Sequence, residues 1–480
     1  MENMSHSNRR TFISRGVGTS LAMALAGRGY SFVLPTGSER AWPPQPGALP
    51  PNGNPILPGL GVCDPQVRVF DGHIYLYATH DYSPESRKFR MENWWVWRTD
   101  DLIHWEQVSV LHPEQTYLRR PFADCWATDA ATRNGKYYFY FSAGPKNIGV
   151  VEGPTPSGPW TDPIGKPLIA EGLTPVEERD PGILMDADGA NYIVFGTWDY
   201  YIARLADDMV SLAEPPRLIH LDHKAGPYGA GKTDDKPFLH RRGDTYYLSW
   251  GCFYAVGDNP YGPYRYKGSF IDPSLIDPGL RSDRPLHDRH GSFFEFHRQW
   301  YFACNDESQS GTSNFFRNTV LSYVHYRANG EIAPLRMDRV GVGRYDAAKG
   351  KIEAEDFFSL IGSGVVGERE DGTFEVRDLR DRSALIYPNV EHVSGARTMI
   401  IRVSRNGTGE ARLEICAGGS NGRRLGQVAI PHTGSWTNYR ELRVDISVPS
   451  PVVDVAITCR GGSGELARID SWWIPNRDAE

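Results

Sequence analysis

Residues 61–81 read GVCDPQVRVFDGHIYLYATHD, two alternating apolar runs that are joined at Asp71-Gly72. An Asp-Gly pair between such runs predicts a β-hairpin, because these residues tolerate the positive φ of a tight turn. Asp64 stands at the start of the first run. A single hairpin does not separate an acid that caps a strand from an acid that is placed for chemistry.

The hairpin recurs along the chain. Its second strand is seen as DGHIYLYA at Gly72, NGKYYFYFSA at Gly135, DGANYIVFG at Gly189 and RGDTYYLSWG at Gly243, and again as HRQWYFACND without the glycine. The glycines are 63, 54 and 54 residues apart, and a further pair of strand-like runs follows each hairpin. Five regular units of four strands predict an all-β fold, a five-bladed β-propeller over residues 55–346. A β-sandwich would not explain the regular interval.

The innermost strand of each predicted blade begins about eight residues before its turn. The residues at those positions are Asp64, Trp126, Asp180, Asp235 and His290. Innermost strands of a propeller start near one end of its central tunnel, so three carboxylates and a histidine are expected to meet there. Taken singly, each aspartate could merely cap the start of its strand. Three aspartates at equivalent positions of the repeat favour one shared site instead.

Converging carboxyl groups are suited to glycoside hydrolysis. Their mutual repulsion separates their pKa values, so one group can donate a proton to the leaving oxygen while another activates water. Aromatic side chains pack on the C–H faces of sugars, and the candidates for this role are Trp95, Trp126, Trp198 and Phe253. Core packing is the alternative for each of these aromatic residues.

Composition agrees with an all-β protein of two or more domains. The 480 residues include 50 glycines, 35 prolines and 12% aromatic residues, and no stretch has a long amphipathic helical pattern. The net charge of −7 provides no broad basic surface, so neither nucleic acid nor membrane insertion is predicted. The predicted partner is an oligo- or polysaccharide substrate.

The first 40 residues contain NRRTFISRGVGTSLAMALAG, in which Arg9-Arg10 precede a short apolar run. This pattern resembles the twin-arginine signal peptide of bacterial exporters and predicts a periplasmic or secreted protein, with a disordered basic tail as the alternative. The apolar run is too short to span a bilayer. Residues 41–54 are predicted to form a Pro-rich linker.

The pattern changes after the propeller. Residues 350–477 contain short alternating runs such as TMIIRVS, ARLEICAGG and VVDVAITCRGG, which predict a jelly-roll-like β-sandwich with its own core.

The six cysteines of the chain show no CxxC spacing, which argues against zinc and redox motifs. Cys416 and Cys459 are candidates for a disulfide across the sandwich, and buried free thiols are the alternative for the remaining cysteines.

The propeller resembles glycoside hydrolase family 43 in the order of its motifs, which are CDPQV, CWATDAATRNGKYYFYFSA, RDPGILMDADGANYIVFG, DKPFLHRRGDTYYLSWG and RHGSFFEFHRQWYFACND. The resemblance implies an inverting enzyme on a five-bladed propeller, in a family that includes α-L-arabinofuranosidases, β-xylosidases, arabinanases and galactan- or galactofuranose-active members. It also implies that Asp64 is the general base, that Asp235 is the general acid, and that Asp180 orients this acid and raises its pKa.

The fourth-blade motif departs from the family pattern. The family normally has Glu in EGPF, whereas this chain has Asp235 in DDKPF. Aspartate reaches about one methylene less far, and Lys236 would lower the pKa of the acid if its side chain turned inward. This departure has three interpretations. Either the strand that carries Asp235 lies closer to the substrate, or Asp234 is the acid instead, or the activity is impaired.

The resemblance implies roles for two further residues of the propeller. His290 matches a histidine that faces the tunnel and contacts a hydrated Ca²⁺ or other ion, and Arg317 in NFFRNTV matches an arginine that binds substrate hydroxyls. A histidine packed in the core and an arginine on the surface are the respective alternatives.

The C-terminal segment resembles carbohydrate-binding module family 6 in its motifs IEAED, PHTGSW and RIDSWW. The resemblance implies a structural Ca²⁺ held by Glu353, Glu355 and Asp470, and oxygen ligands of this kind suit a hard cation. The module is expected either to bind sugar or only to buttress the propeller.

The sequence thus predicts an exported, exo-acting glycosidase of plant cell-wall (hemicellulose) side chains, either an α-L-arabinofuranosidase or a β-xylosidase. The exo prediction depends on the bulky insert HDYSPESRKFRMENWWVW, residues 80–97, which is expected to wall off one end of the cleft. The alternatives are a catalytically weak carbohydrate-binding propeller, a galactan- or galactofuranose-active enzyme of the same fold, and a retaining relative such as the fructan-active enzymes.

Overall fold

The computed structural model describes residues 53–308, 314–448 and 450–475, and its regular structure is almost entirely β. The predicted signal peptide and nearly all of the predicted linker lie outside these residues. Within the described ranges, no helix is both long and apolar enough to cross a membrane.

Five antiparallel sheets follow one another along the chain, and they confirm the five-bladed propeller. The first sheet contains β1 (Val62–Phe70), β2 (His73–His80), β3 (Trp94–Thr99) and β4 (Glu106–Leu111). The second contains β5 (Cys125–Arg133), β6 (Lys136–Ala143) and β7 (Ile148–Gly153). The third contains β8 (Gly182–Met185), β9 (Asn191–Phe195), β10 (Tyr201–Arg204) and β11 (Arg217–Leu218).

The fourth sheet contains β12 (Pro237–Arg242), β13 (Thr245–Trp250), β14 (Phe253–Gly257) and β15 (Arg265–Ser269). The fifth contains β17 (Gly291–Phe296), β18 (Gln299–Asp306) and β19 (Asn318–Val324). A parallel pair, β16 (Ile271–Ile276) and β20 (Leu335–Met337), joins the flanks of these two blades. The described residues also form short 3₁₀ turns at Pro113–Gln115, Pro278–Leu280, Ala347–Lys349 and Ala354–Asp356.

The expectation of four strands in every blade holds in the first, third and fourth blades only. In the second blade the segment after β7 pairs only through single bridges, such as Glu152 with Thr161, because the prolines of GPTPSGPW remove ladder donors. In the fifth blade, residues 53–57 lie beside β19 in place of a fourth strand. Ile56 donates its backbone N–H to Thr319 at 2.9 Å, and the Asn54 side chain bonds both backbone groups of Leu321.

The innermost strands β1, β5, β8, β12 and β17 contact one another in sequence, and β17 returns to β1. The ring of blades is therefore closed around a central axis. Large apolar side chains such as Trp94, Trp250 and Tyr301 are fully buried between the strands of the blades. This packing holds the starts of the innermost strands in fixed positions relative to one another.

The C-terminal domain is a β-sandwich of two six-stranded sheets around one large apolar core, as predicted. One sheet contains β21 (Tyr345–Asp346), β23 (Ser359–Ile361), β26 (Ala384–Glu391), β28 (Ala411–Ala417), β29 (Arg423–Ala429) and β31 (Val452–Gly461). The other contains β22 (Ile352–Glu353), β24 (Val365–Glu368), β25 (Phe374–Leu379), β27 (Thr398–Ser404), β30 (Arg440–Asp445) and β32 (Ala467–Trp473).

The suggested Cys416–Cys459 disulfide is wrong. All six cysteines are buried free thiols. Cys416 on β28 pairs with Ala456, while Cys459 on β31 pairs with Leu413, so the two thiols are offset along neighbouring strands of the same sheet.

The sandwich is docked on the fifth blade through buried polar contacts. Gln299 donates to the backbone oxygen of Glu355 at 2.7 Å, and His325 contacts the carboxylate of Asp356 at 2.8 Å. Arg336 donates to the same carboxylate. These bonds cross from propeller to sandwich, so the two domains form one packed body.

Candidate active site

The starts of the innermost strands line a pocket of about 400 Å³. All five residues that the repeat places there are present, namely Asp64, Trp126, Asp180, Asp235 and His290. Asp64 and Asp180 have left-handed backbones, with φ of 47° and 58°. Aspartate tolerates this conformation better than most residues. The left-handed residue breaks the alternation of the strand, which lets the carboxylate face the pocket.

Asp64 is 4% exposed and is held by four side chains. Its Oδ1 accepts hydrogen bonds from Asn305 at 2.9 Å and Arg317 at 3.0 Å, and its Oδ2 accepts one from Thr79 at 2.8 Å. Burial alone would raise the pKa of Asp64, but the Arg317 guanidinium and the contact with His290 outweigh burial and hold this pKa well below its usual range. Asp64 is therefore a fixed carboxylate, as a general base requires.

His290 lies between Asp64 and Asp235. Its Nδ1 is 3.0 Å from Asp64 Oδ1, and its Nε2 contacts Asp235 Oδ1. Burial disfavours the imidazolium, but the charges of Asp235 and Asp288 raise the pKa of His290 well above its usual value. One protonated imidazole ring, with a hydrogen bond on each side, thus separates the two carboxylates. An imidazole ring between the two carboxylates favours the wider pair of an inverting enzyme over the closer pair of a retaining one.

Arg179 joins Asp235 to Asp180. Its Nη1 is 2.7 Å from Asp235 Oδ2 and 3.3 Å from Asp180 Oδ2. Burial raises the pKa of Asp180, with Arg179 opposing and Asp235 adding to the effect. Burial would also raise the pKa of Asp235, but His290 and Arg179 outweigh burial and lower it. The expected rise in the pKa of Asp235 beside Asp180 is thus not seen, because two cations face Asp235.

Asp234, the alternative acid, does not line the pocket. It is 2% exposed, and its Oδ1 accepts the backbone N–H of Asp235 at 2.9 Å. Burial and the neighbouring Asp235 raise the pKa of Asp234 well above its usual value. Asp234 is therefore a buried group behind the site whose surroundings favour the neutral form, whereas Asp235 faces the pocket.

The predicted sugar-binding side chains separate into two groups. Trp126 and Arg317 line the pocket. Trp198 does not line it, but is 38% exposed and packs edge-on against the pocket residue Tyr228 at 5.1 Å. Trp95 and Phe253 do not reach it, which corrects the sequence prediction for these two.

Trp95 and Phe253 each belong to the third strand of their blade, away from the central axis. Trp95 on β3 stacks on His80 at 3.7 Å, and Phe253 on β14 is buried in the core. Most of the described pocket residues lie at the starts of the first strands or in the loops above them.

Several pocket residues were not predicted. Arg179, Asp288, Tyr228 and Phe89 line the site together with the predicted residues. Arg179 directly precedes Asp180, and Phe89 lies within the insert that was expected to wall off the cleft. Their positions in the sequence could therefore have identified both as pocket residues. Asp288 and Tyr228 lie in loops where the sequence shows no periodic pattern.

The residues around His290 do not fit the hydrated metal ion that the family resemblance implies. In the described part of the chain, the groups of three metal-type ligands within 4.8 Å are Asp64, Asp288 and His290, and Asp234, Asp235 and His290. Arg317 Nη1 already bridges Asp64 at 3.0 Å and Asp288 at 3.3 Å, and both nitrogens of His290 contact carboxylates. Cations of the chain itself therefore neutralise the candidate ligands.

The predicted calcium ligands of the sandwich do not fit a shared ion either. Asp470 is bound by Arg369 and, at 2.9 Å, by Arg402, so its charge is already paired. Glu355 has a buried Oε2 without a hydrogen-bond partner among the described groups, which would suit a cation. Glu353, Glu355 and Asp470 do not, however, come together as a ligand group in the described structure.

Opposed carboxylates in a sugar-sized pocket on a five-bladed propeller define a glycoside hydrolase. The chain belongs to the glycosyl hydrolases family 43, whose family model matches residues 52–332. Residues 353–476 match the model of the carbohydrate binding module (family 6). Both matches agree with the resemblances seen in the sequence.

Curated relatives are similar over different parts of the chain. An arabinoxylan arabinofuranohydrolase from Paenibacillus polymyxa is 25% identical over 89% of this chain and 75% of its own length. One from Bacillus subtilis is also 25% identical, over 89% of this chain and 93% of its own length. A xylosidase/arabinosidase from Bacteroides ovatus is 29% identical over 58% of this chain and 95% of its own length.

Solved structures share the fold. The family 43 arabinoxylan arabinofuranohydrolase from Bacillus subtilis in complex with cellotetraose has a TM-score of 0.53 at 22% identity, over 89% of this chain and 98% of that one. A family 43 enzyme from Xanthomonas citri complexed with xylotriose has a TM-score of 0.50 at 28% identity, over 60% of this chain and 95% of that one.

Proposed function

We propose that this protein is an inverting, exo-acting α-L-arabinofuranosidase that removes arabinofuranosyl side chains from arabinoxylan. The observation that carries the proposal is the placement of Asp64 and Asp235 on opposite sides of His290, both facing one pocket. An inverting reaction needs a base and an acid with room for a water molecule between one of them and the sugar.

Asp64 is the general base of the proposed reaction. Its low pKa keeps it ionised, and it removes a proton from the water that attacks the anomeric carbon. The bond from this carbon to the water oxygen forms as the glycosidic bond breaks. The leaving oxygen takes its proton from Asp235.

The proton that Asp235 must donate is stored at its contact with His290. Before the glycoside binds, the imidazole carries this proton in the proposed reaction, because the surrounding carboxylates raise the pKa of His290. A glycoside that fills the pocket excludes water from Asp235, and loss of water favours the neutral form of a carboxyl group. Asp235 then receives the proton from Nε2 of His290 and passes it to the leaving oxygen. Asp180 holds Asp235 in place through Arg179.

The shape of the site supports action on a terminal sugar. Phe89 and Met91, from the insert at residues 80–97, line the pocket. Phe89 also packs edge-on against Phe315 at 4.8 Å and lies 4.8 Å below the guanidinium of Arg317. This aromatic wall favours a pocket for one sugar over a groove open at both ends.

The choice of arabinofuranose is supported by the relatives that align with both domains, since two of them are named arabinoxylan arabinofuranohydrolases. β-Xylosidase is the second candidate, because relatives that align with the propeller alone are named xylosidase/arabinosidase. A sandwich docked on the fifth blade would keep arabinoxylan near the pocket.

A panel of nitrophenyl glycosides tests the proposal. The wild-type protein is expected to release nitrophenol fastest from the α-L-arabinofuranoside, and arabinose rather than xylose from arabinoxylan. Proton NMR of the first product formed should show the inverted anomer. Faster release from the β-D-xyloside selects the second candidate, a retained anomer contradicts the mechanism, and no turnover of any glycoside supports a binding propeller.

We also propose that the chain is exported in bacteria through its twin-arginine motif. Arg9 and Arg10 precede the apolar run in the pattern that this route uses. Cell fractionation of the wild type and of a variant with both arginines changed to lysine tests this. Export that is unaffected by the change contradicts it.

A further inference from the structure

Lys236 points its ammonium group into the tunnel beneath the pocket. It directly follows Asp235, is 1% exposed, and has a left-handed backbone with φ of 56°. Its Nζ lies 3.4 Å from the backbone oxygens of Asp64 and Thr128. These oxygens belong to the innermost strands of the first and second blades, so the lysine reaches across the axis from the fourth blade.

The surroundings of this ammonium are acidic. Burial lowers the pKa of Lys236, and the charges of Asp64, Asp180 and Asp129 oppose this effect by favouring the ammonium form. Asp129 already has a bidentate partner in Arg68, at 2.8 and 2.5 Å. Of these three aspartates, Asp64 and Asp180 line the pocket, and the ammonium also bonds the backbone oxygen of Asp64.

The backbone conformation of Lys236 is unfavourable for a lysine. A left-handed backbone is unfavourable for a residue with a Cβ relative to the right-handed one, and glycine avoids this cost. The family pattern has glycine at this position, in EGPF, where DDKPF stands here. A strained backbone kept at a functional site calls for a role for the side chain.

We propose that the ammonium group of Lys236, held on the central axis by its own side chain, takes the place of the metal ion that the family resemblance implies. Catalysis would then be independent of divalent ions in the tunnel. The proposal rests on the proposed function in so far as it concerns catalysis. Lys236 is a positioning residue, since it does not line the pocket among the described residues. Its ammonium holds the Asp64 backbone and balances the negative charge of Asp64 and Asp180.

Two substitutions separate the charge of the side chain from its volume and its backbone strain. Lys236→Met keeps the length and the strained backbone but removes the charge. Lys236→Gly removes the charge, relieves the backbone and leaves a cavity. Lys267→Met, at an exposed lysine of the outermost strand β15 in the same blade, is the matched control.

The first measurement is steady-state kinetics with the arabinofuranoside in excess EDTA. Wild type and Lys267→Met should keep full activity. Both Lys236 variants should lose about 10- to 100-fold in kcat with little change in KM, as expected for an outer residue that orients a catalytic group. Ethylammonium should restore part of kcat in Lys236→Gly, where a cavity admits it, but not in Lys236→Met, and sodium chloride of equal ionic strength should restore neither.

The second measurement does not depend on turnover. Thermal melting with and without Ca²⁺ should show an added rise in Tm for Lys236→Gly beyond any rise in wild type, because the backbone oxygens of Asp64 and Thr128 that the ammonium bonds then become available to the ion. The wild-type rise accounts for any ion elsewhere in the molecule.

Three results would overturn the proposal. These are loss of wild-type activity in EDTA that Ca²⁺ reverses, full kcat in Lys236→Met, and equal Ca²⁺-dependent Tm changes in wild type and Lys236→Gly. If wild type hydrolyses no glycoside, the proposed function fails, while the melting comparison still decides the cation proposal.

Discussion

Arg317 donates a hydrogen bond of 3.0 Å to Asp64, and both side chains are almost completely buried. The same guanidinium binds Asp81 through its Nε and Nη2, each at 3.0 Å. Asp81 thus fixes the direction of the arginine, and the arginine fixes the charge of the base. The catalytic carboxylate is controlled by a chain of two ion pairs rather than by its own burial.

Replacing Arg317 by lysine should move the acidic limb of the pH profile. Asp64 must be ionised to act as base, and the guanidinium lowers its pKa. Lysine offers a single point charge in place of the fork that bridges Asp64 and Asp81, so the pKa of Asp64 should rise. The acidic limb of kcat/KM against pH is expected to shift to higher pH, while Arg265→Lys on an exposed strand should leave it in place. An unchanged limb would mean that Arg317 does not control the base.

Asp64→Asn should lower kcat by about 10²- to 10⁴-fold, the range for loss of a general base or acid. The loss should be similar for a nitrophenyl arabinofuranoside and for arabinoxylan, because activation of water does not depend on the leaving group. Product release measured on both substrates checks this. A variant with more than a tenth of wild-type kcat would remove Asp64 from the role of base.

Asp235→Asn should show the opposite pattern. A nitrophenolate leaves with little help from an acid, whereas a sugar oxygen must be protonated as it leaves. The loss in kcat is therefore expected to be much larger on arabinoxylan than on the nitrophenyl substrate. Equal losses on the two substrates would contradict the assignment of Asp235 as the acid.

Asp234→Asn is the matched comparison for that variant. Asp234 is buried, does not line the pocket and has a pKa well above its usual value, so an amide of the same shape should replace it at little cost. We expect kcat on arabinoxylan to stay close to that of wild type. If Asp234→Asn loses activity in the manner expected for Asp235→Asn, then Asp234 is the acid.

Asp356→Asn should weaken the contact between the sandwich and the propeller. Asp356 is buried and accepts charged hydrogen bonds from Arg336 and His325, and bonds of this type each contribute about 1.5–3 kcal/mol. Since Arg336 is half exposed, it regains water when the carboxylate is lost, and a destabilisation of about 2–3 kcal/mol is expected. Urea unfolding checks this, with Asp371→Asn on the exposed turn after β24 as control.

The effect of Asp356 should depend on pH in a defined direction. Although burial would raise its pKa, Arg336 and His325 hold it below the usual value. A carboxylate with a lowered pKa stabilises the folded state above its unfolded pKa of about 3.9, and this stabilisation is lost as the pH falls through the folded pKa. The difference in unfolding free energy between wild type and Asp356→Asn should therefore be full at neutral pH and shrink below about pH 4. A difference that stays constant into acid would contradict the ion-pair explanation.

The sequence was sufficient to predict which backbone positions meet at the pocket. Inner-strand starts repeat at a nearly constant interval, and in a closed ring this interval places Asp64, Asp180, Asp235 and His290 around one axis. The prediction needed no knowledge of side-chain direction, because every first strand begins at the same end of the ring.

The protonation states could not be predicted in this way. The pKa of Asp235 depends on whether Arg179 turns towards it and whether His290 reaches it, and both directions are set by side-chain packing. The placing of Trp95 and Phe253 failed for a related reason. Both residues lie on the third strand of a blade, away from the tunnel. The amino-acid composition around them does not show whether an aromatic residue belongs to such a strand or to a loop beside the tunnel.

The pairing of residues 53–57 with β19 sets the order in which the molecule can be assembled. Asn54 and Leu321, which bond each other, are 267 positions apart, so this contact has one of the longest loops in the propeller to close. The ribosome makes the closing segment early but its partner strand late. Until Leu321 has emerged, residues 53–57 cannot pair with β19, and the ring can be completed only after nearly the whole propeller has been synthesised.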